Sequence, residues 1–122
     1  MKVSFDFDMT LTMPLIQDYA KYLVEKEVDV WVHTLRFPDD APEWQNWNTD
    51  LWKVIANVGI NPDKVVFCEM TDKWNFLGED FIWHLDDDYI ECNLINKNTT
   101  TIGICHYGNS TWKNKCEKLL NV

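Results

Sequence analysis

Two aspartates near the start of the chain have the clearest potential for chemistry. Asp6 and Asp8 follow an apolar run that begins at Val3, with one residue between them, and Thr10 follows two positions later. Because side chains alternate along a strand, both carboxylates are expected on the same side of the backbone at a strand end. Two ionised carboxylates at this separation repel each other unless a cation or a shared proton offsets the repulsion. An acidic loop at a strand end, with no special chemistry, is the other interpretation of this stretch.

Polar side chains also follow three other apolar, strand-like segments. These are Thr34, Lys73 in the loop after the third strand, and the run Asp86, Asp87 and Asp88. Because ligands of open α/β sheets bind outside the carboxyl ends of the strands, these groups are expected to converge with the first two aspartates. Carboxylate oxygens suit Mg²⁺, a lysine offsets the charge of a phosphate, and a hydroxyl donates to a phosphate oxygen. The pattern therefore favours a site for Mg²⁺ and a phosphate group.

The expected sheet follows from strand patterns that alternate with helix patterns. The predicted strands are the apolar run before Asp6 and residues 28–34, 64–69, 81–85 and 99–106. The predicted helices are residues 12–27, with Thr12 as cap and Pro14 in the first turn, 44–58, closed by Gly59, and 110–120. Residues 35–42 and 93–98 are predicted to be loop and turn, and 71–80 a loop or short helical turn. Short connections indicate an α/β fold, a three-layer, Rossmann-like, doubly wound parallel sheet covered on both faces.

Length and composition limit the classes of protein to consider. At 122 residues, 46% of them hydrophobic, residues 1–122 are expected to form one domain with a buried core. The net charge of −9 argues against general nucleic-acid binding, because affinity for phosphates depends on lysine and arginine. No signal peptide, membrane-length apolar run or disulfide framework is recognisable. We expect a soluble cytoplasmic protein, a monomer or homodimer, that acts on a small phosphorylated substrate without membrane contact.

These motifs, in this order, resemble those of the haloacid dehalogenase-like (HAD) phosphohydrolase superfamily, and the likeness covers nearly the whole chain. Asp6-Phe7-Asp8-Met9-Thr10 is similar to the family's DxDxT motif, and the strand that ends at Thr34 is similar to its second motif. The pair Asp86-Asp87 with Glu91 is similar to its fourth motif, DDxxxE. Met9 is a departure, since many members have glycine there, and so is Asp88, a third consecutive aspartate.

The resemblance implies a role for each matched residue. Asp6 would attack phosphorus and become an aspartyl phosphate, and Asp8 would serve as general acid and then as general base. Thr34 and Lys73 would hold the phosphoryl group during catalysis. The implied substrate-binding residues are Thr10, Thr34, Arg36 and Lys73. The implied Mg²⁺ ligands are Asp6, Asp8 through its backbone carbonyl, Asp86 and Asp87.

The motif lysine and the substrate are inferred from the segment before the fourth strand. Asp72-Lys73 followed by Leu77-Gly78 is similar to the 5′(3′)-deoxyribonucleotidase-like branch, which implies a nucleotide or deoxynucleotide monophosphate as substrate. Lys64 is the competing choice, but it opens a predicted strand and so lies at the opposite sheet edge. The connections leave no room for the cap domain that the family usually inserts, so the chain resembles a capless member.

Two alternative functions remain open. One is a phosphatase for the ends of nucleic acids, as in capless members joined to polynucleotide kinases, and the negative net charge counts against it. The other is a non-catalytic HAD-like module that binds a phosphorylated partner, and Asp8 counts against it because binding needs no general acid. Packing is the expected role of His33 and His84, and is also favoured for His106 at the end of the fifth strand. Trp44 and Trp47 are expected in the core rather than stacked on a base.

Overall fold

A five-stranded sheet forms the centre of the protein, whose computed structural model describes residues 1–39 and 47–121. The strands are β1 (Lys2–Phe5), β2 (Asp29–Thr34), β3 (Val65–Phe67), β4 (Phe81–Asp86) and β5 (Ile102–Cys105). The helices are α1 (Pro14–Glu25), α2 (Thr49–Val58), α3 (Trp74–Leu77), α4 (Tyr89–Asn98) and α5 (Trp112–Leu120). A short 3₁₀ helix, Pro62–Lys64, precedes β3.

Neighbouring strands of the sheet are all parallel, in the order β3-β2-β1-β4-β5. The chain begins in the middle of the sheet, moves outward through β2 and β3, and then crosses to β4 and β5. The strand order therefore reverses between β1 and β4, which is where ligands bind in doubly wound sheets. The expected parallel sheet flanked by helices is confirmed, and it is compatible with a Rossmann-like fold.

Two apolar clusters, one on each face, bind the helices to the sheet. The larger cluster contains Val3 and Phe5 of β1 and Trp83 and Leu85 of β4, with buried residues from α1, α2 and α5. The smaller cluster joins Leu77 of α3, Phe81 of β4 and Ile95 of α4. Full burial of one such side chain contributes about 1.5–3 kcal/mol. The larger cluster is therefore the main source of apolar stabilisation.

Helix α1 differs from expectation in its cap. Its N-cap is Met13, which makes no side-chain capping bond, whereas Thr12 ends the turn before the helix. Pro14 occupies the first turn as expected, since a proline there loses no intrahelical hydrogen bond. Leu15 is 70% exposed and does not belong to the apolar face. The buried residues are Ile16, Tyr19, Ala20 and Leu23.

The predicted turn at residues 93–98 is wrong, because this segment is the second half of α4. The Asp88 carboxylate caps the helix by accepting hydrogen bonds from the backbone N–H groups of Ile90 and Glu91. Ile95 is fully buried against the sheet. A good cap and one buried apolar position outweigh the poor helix propensity of the asparagines. At the helix end, Thr99 Oγ1 donates to the Ile95 carbonyl, so β5 begins at Ile102 rather than at Thr99.

The remaining boundaries mostly shift by one to three residues. Strand β3 is shorter than predicted, because the 3₁₀ helix precedes it and Glu69 beyond it has a left-handed φ of 52°. Helix α2 ends at Gly59 with φ 91°, as expected for a glycine C-cap. The predicted start of that helix, including Trp44, lies among residues 40–46, outside the described residues. All four cysteines are free thiols.

Gly103 in β5 allows α4 to lie very close to the sheet. A Cβ at this position would be only 2.6 Å from the carbonyl oxygen of Cys92. We predict that Gly103→Ala lowers the free energy of unfolding by about 1–3 kcal/mol, because the helix must move away. Urea denaturation gives this value. The control Asn93→Ala, at an exposed position of α4, should change it by less than about 0.5 kcal/mol. If Gly103→Ala and Asn93→Ala changed the free energy of unfolding by equal, small amounts, α4 could move away from the sheet at little cost.

Candidate functional site

The carboxyl ends of β1 and β4 bring Asp6 and Asp86 together around the side chain of Lys73. Lys73 Nζ donates to Oδ1 of Asp6 and to Oδ2 of Asp86, each at 2.7 Å. The Lys73 side chain is only 2% exposed. Its backbone N–H donates to Oε1 of Glu91 at 3.0 Å, which ties the lysine loop to α4. The lysine predicted from the sequence therefore lies at the strand ends, between two of the predicted aspartates.

Lys64, the competing lysine, lies elsewhere. Its ammonium group pairs with Asp29 at 2.7 Å. Asp29 is the first residue of β2, so this pair belongs to the amino end of the sheet. Lys64 therefore lies at the opposite edge of the sheet, as its position at the start of a predicted strand indicates, and the role of Lys73 stays a prediction.

Asp87 completes a cluster of three carboxylates. One oxygen from each of Asp6, Asp86 and Asp87 lies within 4.8 Å of the others. Three carboxylates and the single positive charge of Lys73 leave two negative charges in a largely buried place. Oxygen ligands and a net charge of this sign suit a divalent cation such as Mg²⁺.

The electrostatics of the cluster differ between its two buried aspartates. Burial raises the pKa of Asp6 well above its usual value; Lys73 opposes this shift, and Asp86 and Asp87 add to it. Burial also disfavours ionised Asp86, but His84 and Lys73 outweigh it and hold the Asp86 pKa well below its usual value. Asp6 is therefore the carboxylate of this pair whose ionised form is disfavoured, and a nearby cation would favour that form.

Asp8 has different surroundings from Asp6, although the two residues are only two positions apart in the sequence. Strand β1 ends at Phe5, so strand alternation does not continue through the turn Phe7–Leu11. Met9 in this turn has φ 62°, a conformation that glycine adopts at little cost. The Asp8 side chain is 54% exposed and accepts hydrogen bonds from Arg36 Nε at 3.0 Å and Nη2 at 2.7 Å. The turn thus separates a buried carboxylate from an accessible one.

Arg36 joins Asp8 to a second carboxylate that the sequence did not indicate. Its Nη1 and Nη2 donate to the two oxygens of Asp50 at 2.8 and 3.0 Å. Its guanidinium carbon also lies 4.8 Å from the ring centre of Phe7. Arg36 was expected to contact the substrate, and here its donors are directed mainly at two aspartates.

A cavity of about 330 Å³ adjoins this arginine and is lined by Asp8, Arg36, Trp47 and Asp50. Trp47 is 54% exposed, so the expectation that it packs in the core is wrong. The reason is that Trp47 precedes α2 in a turn and does not belong to the helix's buried face. An aromatic side chain therefore borders the same space as Asp8.

Two threonines predicted to bind substrate are buried within the site. Thr10 Oγ1 donates to Oδ2 of Asp6 at 3.1 Å and lies 2.9 Å from Nε2 of His106. Thr34 Oγ1 accepts a hydrogen bond from the backbone N–H of Arg36 at 3.3 Å. Thr10 and His106 thus support Asp6, and contact between either threonine and a substrate stays a prediction.

A chain of buried hydrogen bonds leads from Asp86 into the sheet face that carries the smaller cluster. His84 Nε2 lies 2.8 Å from Oδ2 of Asp86, and His84 Nδ1 lies 2.7 Å from Oγ of Ser4. The same Ser4 oxygen lies 2.7 Å from Nδ1 of His33. His33 also packs edge-on against Phe81, with ring centres 5.1 Å apart. Both histidines are buried as expected, but His84 also contacts a site residue.

Sequence reasoning missed this contact, although the signal was present. His84 and Asp86 are two positions apart in β4, so their side chains lie on the same face. Ser4 pairs directly with His84 in the register of β1 and β4. That pairing depends on the strand order, which local pattern does not give.

Compared with protein-family models, with curated proteins and with solved structures, the chain matches none. Its membership of the HAD superfamily therefore stays a prediction from the four motifs. Within residues 1–39 and 47–121, no helix has both the length and the apolar composition needed to cross a membrane.

The buried histidine His33 makes stability depend on pH. Burial and the nearby His84 lower the pKa of His33 from its usual value to about 3. The unfolded chain therefore binds more protons between this pKa and about 6.5, and the folded state loses stability as pH falls through that range. In His33→Asn, the amide occupies the position of Nδ1 and can still bond Ser4, but it does not titrate. We predict that the loss of unfolding free energy from pH 7 to pH 5 is about 2 kcal/mol smaller in this variant. Identical pH profiles from urea denaturation would contradict this.

Removal of the buried ammonium group should leave the site with uncompensated charge. We predict that Lys73→Met lowers the free energy of unfolding in EDTA by about 3–5 kcal/mol, because Asp6 and Asp86 lose their shared partner. Added Mg²⁺ should restore part of this loss. Lys64→Met is the matched control, since it breaks a partly exposed pair worth less than about 1 kcal/mol. Equal losses in the two variants would contradict the predicted importance of Lys73.

Proposed function

We propose that this protein is a Mg²⁺-dependent phosphomonoesterase of the HAD type that works through an aspartyl-phosphate intermediate. The observation that supports it best is the arrangement of Asp6, Asp86 and Asp87 around Lys73 at the reversal point of a parallel sheet. A buried nucleophile, a cation site and a fixed lysine are the components that phosphoryl transfer to a carboxylate needs.

Mg²⁺ fits the residues that are present. The three carboxylates offer hard oxygen ligands within 4.8 Å of one another, and their charge exceeds that of Lys73. Asp6, Asp86 and Asp87 would hold the ion, together with the backbone carbonyl of Asp8. When bound, Mg²⁺ supplies a Lewis acid that offsets the charge of the phosphate group and favours the ionised form of Asp6.

Asp6 is the proposed nucleophile. Lys73 donates to one of its oxygens and Thr10 to the other, so two fixed donors orient the carboxylate. An Asp6 oxygen forms a bond to phosphorus while the bond from phosphorus to the leaving oxygen breaks. Lys73 neutralises charge on the phosphoryl group during this transfer. Water then attacks phosphorus, which releases inorganic phosphate and regenerates the Asp6 carboxylate.

Asp8 is the proposed general acid and base. It protonates the leaving oxygen in the first step and takes a proton from the attacking water in the second. Its exposed position gives it access to both molecules. Each of its oxygens accepts one hydrogen bond from Arg36 and keeps a second acceptor position for a proton. Arg36, fixed by Asp50, therefore orients Asp8.

The proposed substrate is a nucleotide or deoxynucleotide monophosphate. The half-exposed indole of Trp47 borders the cavity that Asp8 and Arg36 also line. An aromatic surface beside the general acid suits a leaving group that carries a flat base. This observation supports the substrate class suggested by the residues around Lys73.

Hydrolysis of an aryl phosphate tests the proposed chemistry. We expect turnover that requires Mg²⁺ and disappears in EDTA. Asp6→Asn should lower kcat by on the order of 10³-fold or more, because the nucleophile is lost. Asp8→Asn should lower it by about 10²–10⁴-fold through loss of acid–base catalysis. Asp63→Asn, in the exposed 3₁₀ helix before β3, is the control and should retain full activity.

Two other outcomes would point to the alternative functions. Activity found only on a phosphorylated oligonucleotide, and falling steeply with salt, would favour a nucleic-acid-end phosphatase. A Mg²⁺-dependent rise in melting temperature with no turnover of aryl, nucleotide or sugar phosphates would favour a phosphate-binding module. Turnover unchanged in Asp6→Asn would contradict the proposed nucleophile.

A further inference from the structure

We propose that His84 is a positioning residue for the proposed Mg²⁺ ligand Asp86, and that Ser4 and His33 hold its ring in place. This inference rests on the proposed Mg²⁺-dependent function. It assigns a role to a hydrogen-bonded chain of three buried side chains that takes no direct part in the reaction steps proposed for Asp6 and Asp8.

Contacts on both sides of its ring hold His84 in place. The ionised Asp86 carboxylate can only accept, so His84 Nε2, at 2.8 Å, must donate. On the other side of the ring, His84 Nδ1 lies 2.7 Å from Ser4 Oγ, and the same oxygen lies 2.7 Å from His33 Nδ1. Ser4 and both histidines are buried, so these contacts are shielded from solvent.

The chain therefore runs from His33 through Ser4 and His84 and ends at Asp86. A His84 ring without a hydrogen on Nε2 would place a bare nitrogen against the Asp86 carboxylate. Because that contact would be repulsive in a buried place, the arrangement requires the hydrogen on Nε2.

The hydrogen bonds to Asp86 determine which part of its carboxylate stays available. Oδ2 accepts from both His84 Nε2 and Lys73 Nζ, at 2.8 and 2.7 Å. Oδ1 accepts one hydrogen bond, from the backbone N–H of Asp88 at 3.1 Å. A carboxylate oxygen has two acceptor positions. Oδ2 is therefore saturated, and the remaining capacity of Asp86 is at Oδ1.

Loss of the His84 donor should loosen this arrangement. With Lys73 alone on Oδ2, the carboxylate can rotate, and the orientation of Oδ1 is no longer fixed. Removal of a residue that hydrogen-bonds to a metal ligand typically lowers metal affinity or activity by about 10- to 100-fold. A residue that only filled space would not have this effect.

Two replacements of His84 separate hydrogen bonding from packing. In His84→Gln the amide N–H lies near the position of Nε2 and can still donate to Asp86. In His84→Asn the amide reaches only the position of Nδ1, so the contact with Ser4 survives and the donor to Asp86 is lost. The control is Leu85→Val on the opposite face of β4, which loses buried volume without touching the chain.

Mg²⁺ affinity of the substrate-free protein is the deciding measurement, by calorimetric titration with MgCl₂. We expect His84→Asn to weaken Mg²⁺ binding by about 10- to 100-fold, and His84→Gln by less than about threefold. Leu85→Val should bind Mg²⁺ like the native protein despite lower stability in EDTA. With the aryl phosphate, His84→Asn should need a correspondingly higher Mg²⁺ concentration for half-maximal kcat, and its KM at saturating Mg²⁺ should be unchanged.

If His84→Asn fails to fold, Ser4→Ala provides the second test. It removes the hydroxyl that holds the ring and leaves His84 itself in place. We expect Mg²⁺ affinity to fall by about 3- to 10-fold. Native affinity in Ser4→Ala would overturn the role of Ser4 in holding the His84 ring.

The outcomes also separate this inference from the proposed function. Equal affinities in His84→Asn and His84→Gln, or no Mg²⁺ binding by the native protein, would overturn the positioning role. Mg²⁺ binding that depends on His84 as expected, without turnover of any phosphate ester, would support the positioning role and contradict the phosphatase. Mg²⁺-dependent turnover, with equal Mg²⁺ affinities in His84→Asn and His84→Gln, would support the phosphatase and contradict the positioning role.

Discussion

The site depends on one buried ammonium group. Lys73 Nζ lies between the carboxylates of Asp6 and Asp86, and neither could remain ionised at that depth without a cation nearby. The lysine is held from its other side, because its backbone N–H donates to Glu91 of α4. The crossover from β3 to β4 is thus anchored to the sheet edge by charge and hydrogen bonds. One further carboxylate, from Asp87, gives the cluster three acidic groups against one lysine, which suits the proposed divalent ion.

Two aspartates from one turn receive opposite surroundings. Asp6 is buried and hydrogen-bonded by fixed donors, whereas Asp8 is half exposed and paired with a surface arginine. Carboxylates whose environments differ in this way are suited to different tasks, one as nucleophile and the other as proton carrier. The difference arises from the backbone, because β1 ends before Asp6 and the turn that follows passes through the left-handed conformation of Met9.

Local pattern was enough to predict the sheet, the four polar strand ends and the lysine that lies among them. These features depend on strand alternation and on parallel strands ending at one edge, both of which are readable from sequence. Helix α4 was missed because its cap and a single buried isoleucine determine it, while most of its residues are polar. Asp50 was missed because its partner, Arg36, lies on another element. The Ser4–His84 contact joins residues 80 positions apart and requires the strand order.

The polar chain behind Asp86 occupies a place where apolar side chains would stabilise the fold more. Ser4, His33 and His84 lie on the sheet face covered by the smaller cluster, which contains only three buried apolar residues. Such a network is tolerable only when every member has a partner. Within the described part of the chain, the buried side-chain atom without a hydrogen bond is Thr101 Oγ1, which lies outside this network. Full satisfaction makes the network rigid, and the network ends at the carboxylate of Asp86, the proposed Mg²⁺ ligand. A sheet face that needed only to be covered would require none of these polar groups, so their presence there is better explained by the site than by the fold.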